Sequence, residues 1–284
     1  MSASQQSPLM STDRLADCLD EPSVRIVDAS WYLPTMNRDG SSEYNNAHIP
    51  GAVYWDIDKI ADQDSHLPHM MPASNQFETQ MGELGINNET TVVVYDALGL
   101  FSAARPWWML RAFGHQNAFI LDGGLPKWMA EGRPLNADKP DFSTCSYTAK
   151  LDTRFIKSVE EVLENVNSKS AQLVDARSQG RFCGKDAEPR PDCRSGHIPG
   201  AVNLPFDHLI DPQNKTLLPE HALRKRYENV GIDLDKPTIT SCGSGVTACI
   251  LALGMYVLNK PNVSVYDGSW SEWGTQDDLP LETV

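Results

Sequence analysis

His48-Ile49-Pro50-Gly51-Ala52-Val53 returns as His197-Ile198-Pro199-Gly200-Ala201-Val202, 149 residues further along the chain. Working outward, Val27-Asp28-Ala29 returns as Val174-Asp175-Ala176 at an offset of 147, and Leu84-Gly85-Ile86 aligns with Val230-Gly231-Ile232 at 146. Leu121-Asp122-Gly123 aligns with Tyr266-Asp267-Gly268, and Trp128 with Trp273, both at 145. Landmarks in one order with a slowly drifting offset mark two homologous halves. Between them Pro134 to Asp141 is polar and proline-punctuated, as a linker is. The expected division is a domain over 1–138, a linker over 139–153 and a second domain over 154–284.

Each half reads as alternating strands and helices. Arg25 to Ala29, Thr91 to Tyr95, Ala118 to Leu121 and Val263 to Tyr266 are short apolar runs, with β-branched residues prominent, that suit buried strands. Helical patterns lie between them, as in Phe77 to Leu84 and in Ser158 to Val166, where Ser158 and Glu161 have the spacing of a capping box. The expected fold class is α/β: two tandem domains, each a parallel sheet with helices on both faces. Ligands in such sheets bind at the carboxyl ends of the strands.

Composition narrows the function. The 284 residues carry a formal charge of −14, which argues against nucleic acid or an anionic membrane as partner. No stretch approaches the roughly 20 apolar residues of a membrane span, and the N-terminus lacks a leader pattern. None of the six cysteines forms a Cys-x-x-Cys pair, so neither a zinc site nor a disulfide framework is expected. A cytoplasmic location follows as the default, with the mitochondrion as the other reading.

The duplication supplies its own control: what both halves share serves the fold, and what one half alone carries is a candidate for function. His48 and His197 are shared, and are read as structural. After the central strand, Asp96 of the first half is replaced by Cys242 in the second, followed by Gly243-Ser244-Gly245-Val246-Thr247 and an apolar run to Leu258. A strand that ends in a tight curl and enters a helix at once turns free N–H groups toward the cysteine sulfur. That setting binds anions, favours a thiolate and suits a persulfide. Cys249, inside the apolar run, reads as packing. The second half also carries Arg177, Arg181, Lys185, Arg190 and Arg194 where the first has only Arg38; arginine suits carboxylate recognition. In the first half, Asp56-Ile57-Asp58 and Leu67-Pro68-His69 are loop residues that could close over Cys242.

Tandem domains with the His-Ile-Pro-Gly-Ala signature, and a cysteine loop in the second only, resemble the rhodanese superfamily over about Val24 to Trp273. The loop Cys242-Gly243-Ser244-Gly245-Val246-Thr247 is similar to that of its 3-mercaptopyruvate sulfurtransferases. It has no basic residue, unlike the thiosulfate-using members. Position 248 is Ala, where related phosphatases need Arg. The resemblance implies that Cys242 is the sulfur carrier, that Asp58, His69 and Ser244 form a proton relay, and that Arg181 and Arg190 clamp the substrate carboxylate. Gly243, Gly245, Val246 and Thr247 then line the substrate site, at a cleft between the domains. No metal or organic cofactor is implied. The donor would be 3-mercaptopyruvate and the acceptor thioredoxin, a small thiol or cyanide. A thiosulfate:cyanide sulfurtransferase and a non-catalytic persulfide-binding module are the alternatives.

Overall fold

The computed structural model describes residues 7–284; residues 1–6, part of the stretch read for a leader, lie outside the described residues. The chain forms two compact units, one of Met1–Ile60, Pro72–Asp152 and Asp211–Leu217, the other of Ala61–Met71, Thr153–Ile210 and Leu218–Val284. In the first, β1 (Leu9–Met10), β2 (Val24–Asp28), β3 (Val53–Tyr54), β4 (Thr91–Tyr95) and β5 (Ala118–Leu121) lie in the order β1-β5-β4-β2-β3, every pair parallel. Its helices are α1 (Thr12–Asp17), α2 (Gly40–Asn46), α3 (Ser74–Glu83), α4 (Ala104–Ala112) and α5 (Gly124–Ala130). In the second, β6 (Ile156–Lys157), β7 (Gln172–Asp175), β8 (Val202–Asn203), β9 (Thr238–Ser241) and β10 (Val263–Tyr266) repeat the order as β6-β10-β9-β7-β8, again all parallel. Its helices are α6 (Val159–Ser168), α7 (Gln179–Phe182), α8 (Glu220–Asn229), α9 (Ala248–Val257) and α10 (Ser269–Trp273). The parallel α/β expectation holds in both units.

Local chemistry explains the elements. The side chain of Ser158 accepts the Glu161 amide, and the Glu161 side chain accepts the Ser158 amide, which closes the capping box at α6. The middle strand β9 is buried along its whole length, and Ala248 to Tyr256 of α9 are all buried. A helix apolar all round belongs inside a core. The shared histidines fasten each repeat. His48 Nδ1 bonds the Tyr44 carbonyl at 2.7 Å and His197 Nδ1 bonds that of Phe182 at 2.9 Å. Both rings stack on the side chain of that same residue. His48 also bridges Asn136, as His197 bridges Glu282, so each signature ties down the end of its repeat.

Residues 139–152 lie in the first unit, where Cys145 N–H donates to Gly82 and Asp152 N–H to Ala112. The segments Ala61–Met71 and Asp211–Leu217 are exchanged arms: each belongs to the unit that the flanking chain does not. No periodicity announces them, because short irregular segments carry none.

The two units treat their shared aspartate differently. Asp175 pairs with Arg177 at 2.6 Å. Asp28 is just as buried but has Ser30 in place of the arginine, and burial pushes its carboxyl up to about 6. An acid with a raised folded pKa holds its proton more tightly when folded, so the first unit loses stability as pH rises from about 4 through about 6. Asp28→Asn keeps the acceptor for Ser30 and removes the charge. It is expected to stabilise the first unit by on the order of 3 kcal/mol at pH 8 and by nothing at pH 3. Thermal melts of both proteins at the two pH values check this; an equal gain at both would contradict it.

Candidate active site at Cys242

Cys242 follows β9 directly and is 2% exposed. The loop is hung from α10: Trp270 N–H donates to the Cys242 carbonyl at 3.0 Å and Ser271 N–H to that of Gly243 at 2.8 Å. The Ser269 hydroxyl accepts the N–H of Cys242 at 3.1 Å and of Gly245 at 3.2 Å, and donates to the Tyr266 carbonyl at 2.8 Å. Ser269 has φ +50, a left-handed conformation unfavourable to a side chain, and its counterpart in the first unit is Gly124 at φ +53. A serine stands where the backbone prefers glycine, and the hydroxyl it adds is what fixes the cysteine loop. The sequence carried the signal, a Gly-to-Ser difference between halves.

The first unit shows what this loop geometry does. The Asp96 carboxylate accepts four backbone N–H groups, from Leu98, Phe101, Ser102 and Ala103, at 2.8 to 2.9 Å. The loop is an anion cradle filled by its own side chain. Cys242 stands in place of Asp96, and a cysteine is too short to occupy the cradle in the same way. Among the described residues the Ser244 and Thr247 N–H groups, counterparts of Leu98 and Phe101, have no protein acceptor. Thr247 leads into α9, and Val246 is buried beside it. Cys249 donates its thiol to the Gly245 carbonyl at 3.1 Å, the packing role expected of it.

The side chains of His69 and Arg190 meet at Ser244. His69, carried by the arm Ala61–Met71, shares a hydrogen bond of 2.9 Å between Nδ1 and Ser244 Oγ, and Arg190 Nη2 donates to the same oxygen at 3.1 Å. Since arginine only donates, the Ser244 proton is available to His69 Nδ1 when the ring is protonated on Nε2. Burial lowers the Arg190 pKa, opposed by the charge of a Cys242 thiolate. A methyl on Gly243 would stand 3.1 Å from Arg181 Nη2 and 3.6 Å from Arg190 Nη1, so both guanidinium groups border that glycine. Asp58 belongs to the first unit, where it accepts the Trp31 indole N–H at 3.0 Å.

The basic segment divides by role. Arg194 donates to carbonyls at the end of α10 and beyond it, including Leu279 at 3.0 Å. Arg177 is buried, pairs with Asp175 and with Glu188 at 2.7 Å, and lies over the Trp270 ring. Burial alone would lower its pKa; Asp175 and then Glu188 outweigh burial and raise it. The other oxygen of Glu188 holds Arg181 at 2.5 Å. Glu188 thus sets the orientation of Arg181.

A rhodanese-like domain model matches residues 11–131 and again 158–276. The chain belongs to the rhodanese family. This rhodanese is 44% identical to the human 3-mercaptopyruvate sulfurtransferase, over 93% of this chain and 91% of that protein. It is 43% identical to the thiosulfate sulfurtransferase of Cricetulus griseus, over 97% and 94% of the two chains. Among solved structures, the 3-mercaptopyruvate sulfotransferase SseA of Escherichia coli superposes with a TM-score of 0.85 at 38% identity, covering 93% of this chain and 99% of that one.

In this rhodanese the buried pair is the weak point. Arg177→Met leaves Asp175 buried without its cation and Glu188 with Arg181 alone, and is expected to destabilise the second unit by about 3–5 kcal/mol. Urea unfolding followed by the fluorescence of Trp270 and Trp273 measures the change; a loss below about 1 kcal/mol, typical of an exposed pair, would contradict the assignment.

Proposed function

We propose that this enzyme transfers sulfur from 3-mercaptopyruvate, through a persulfide on Cys242, to a thiol or cyanide acceptor. The observation that supports the reading is the cradle: Asp96 fills an anion site in one unit, and Cys242 stands at the equivalent position of the other. The neutral loop and the two arginines over Gly243 favour an α-keto acid held by its carboxylate. The functional division proposed is a non-catalytic domain over 1–138, a linker over 139–153 and a catalytic domain over 154–284.

In the proposed reaction the Cys242 thiolate attacks the substrate sulfur. The sulfur–sulfur bond forms, the carbon–sulfur bond breaks, and its electron pair leaves as the enolate of pyruvate, beside Arg181 and Arg190. Ser244 and His69, with Asp58 completing the relay, carry the proton given up by the transferred sulfhydryl to the enolate carbon, which becomes pyruvate. The added sulfur lies against the N–H groups of Ser244 and Thr247, which no protein group among the described residues accepts. A thiolate of a small molecule or of thioredoxin, or cyanide, then attacks the outer sulfur and restores Cys242. All six cysteines are free, which fits a reducing compartment such as the cytoplasm.

The thiosulfate reading has support in the Cricetulus griseus relative. Steady-state assays decide between the donors. Pyruvate release from 3-mercaptopyruvate is expected to exceed sulfite release from thiosulfate in kcat/KM by at least about tenfold. Arg190→Ala should lower kcat/KM for 3-mercaptopyruvate by roughly 10- to 100-fold, the worth of a charge-assisted hydrogen bond. A preference for thiosulfate, or turnover by Cys242→Ser, would overturn the proposal.

A further inference from the structure

The arms repeat as faithfully as the domains. In the second unit Asp62 N–H closes the arm on itself through the Met70 carbonyl at 2.9 Å, His69 has φ +64, and Met71 N–H donates to Asp267 Oδ2 at 2.7 Å. In the first unit Asp211 N–H bonds the Thr216 carbonyl at 2.8 Å, Lys215 has φ +60, and Leu217 N–H donates to Asp122 Oδ1 at 2.8 Å. His69 and Lys215 are 146 residues apart, the offset of the loops they cover. A methyl on Gly99 would strike Lys215, and His69 bonds Ser244. The repeated Asp-Gly landmark therefore has a job: its aspartate clasps the arm that crosses the loop after the central strand. Both units keep the clasp, and they differ in what it holds, a lysine against the filled cradle or a histidine on Ser244 of the cysteine loop.

We propose that Asp267 is a positioning residue for the reaction: its carboxylate clasps the Met71 amide and so keeps His69 on Ser244. The inference rests on the reading that His69 and Ser244 serve proton transfer. His69 sits in a left-handed conformation that a non-glycine residue keeps only when its surroundings fix it. The Asp62–Met70 closure before it and Asp267 just after it are groups that fix it. Asp267 is 5% exposed and follows β10, with its own N–H on the Lys157 carbonyl at 3.2 Å, so the clasp is mounted on the sheet. Without it the arm loses the bond that anchors it to the sheet immediately after His69, and His69 is lost from Ser244 for much of the time.

The test compares full-length variants by kcat with 3-mercaptopyruvate, alongside thermal melts. His69→Ala is expected to lower kcat by roughly a hundredfold. Asp267→Ala should reproduce most of that loss, and the double variant should be no worse than His69→Ala alone, as coupled residues behave. Asp267→Asn, whose amide oxygen still accepts the Met71 N–H, should restore most of the activity. Asp122→Ala, which releases the other arm, should stay within about twofold of wild type, as a site independent of the chemistry does. Asp267→Ser, too short to reach the amide, replaces Asp267→Ala should the latter not fold. Wild-type kcat for Asp267→Ala beside an impaired His69→Ala would overturn the clasp alone. So would losses that add in the double variant, or an equal loss in Asp122→Ala. Wild-type kcat for His69→Ala would overturn the relay reading and the clasp with it.

Discussion

A chain that leaves a buried parallel strand and enters a buried helix within a few residues exposes N–H groups that no carbonyl can reach, and an anion must take them. In the first unit the Asp96 carboxylate does so with four short hydrogen bonds. In the second Cys242 takes the place of Asp96, and the Ser269 hydroxyl accepts the N–H groups of Cys242 and Gly245. Most of what surrounds Cys242 follows from holding this loop: α10 binds its carbonyls, Ser269 its amides, and the arginines lie over Gly243.

The charge of the site is arranged at two depths. Deep inside, Asp175, Arg177 and Glu188 form a buried ion-pair chain with one negative charge in excess, which Arg181 offsets. At its outer end Glu188 grips Arg181, and Arg190 reaches Ser244. An acidic protein can thereby present local positive charge without burying an unpaired cation. The first unit has neither arginines nor cysteine at these positions, and its uncompensated Asp28 marks where the second unit gained Arg177.

Much of this was legible in the sequence because duplication converts comparison into inference. The parallel sheets, the capping box at Ser158, the structural histidines and the Asp96-to-Cys242 replacement all follow from aligned landmarks and local pattern. Ser269 and Glu188 were missed for a physical reason: their roles depend on backbone groups and side chains brought together by folding, to which periodicity is blind. Asp122 and Asp267 were read as landmarks without a task, since the partners they hold are amides of distant arms. The residues alone show the arginine segment as a cluster, and only the family resemblance singles out Arg181 and Arg190; burial separates Arg177 and Arg194, which serve the fold, from these two, which border the loop.

The most direct test of the central claim is peptide-mapped mass spectrometry after one turnover with 3-mercaptopyruvate and no acceptor. The peptide containing Cys242, and no other cysteine-bearing peptide, should gain about 32 Da, with one equivalent of pyruvate released and the added mass removed by cyanide. Pyruvate release with no added sulfur on Cys242, or sulfur found on Cys193 or Cys249 instead, would contradict the account.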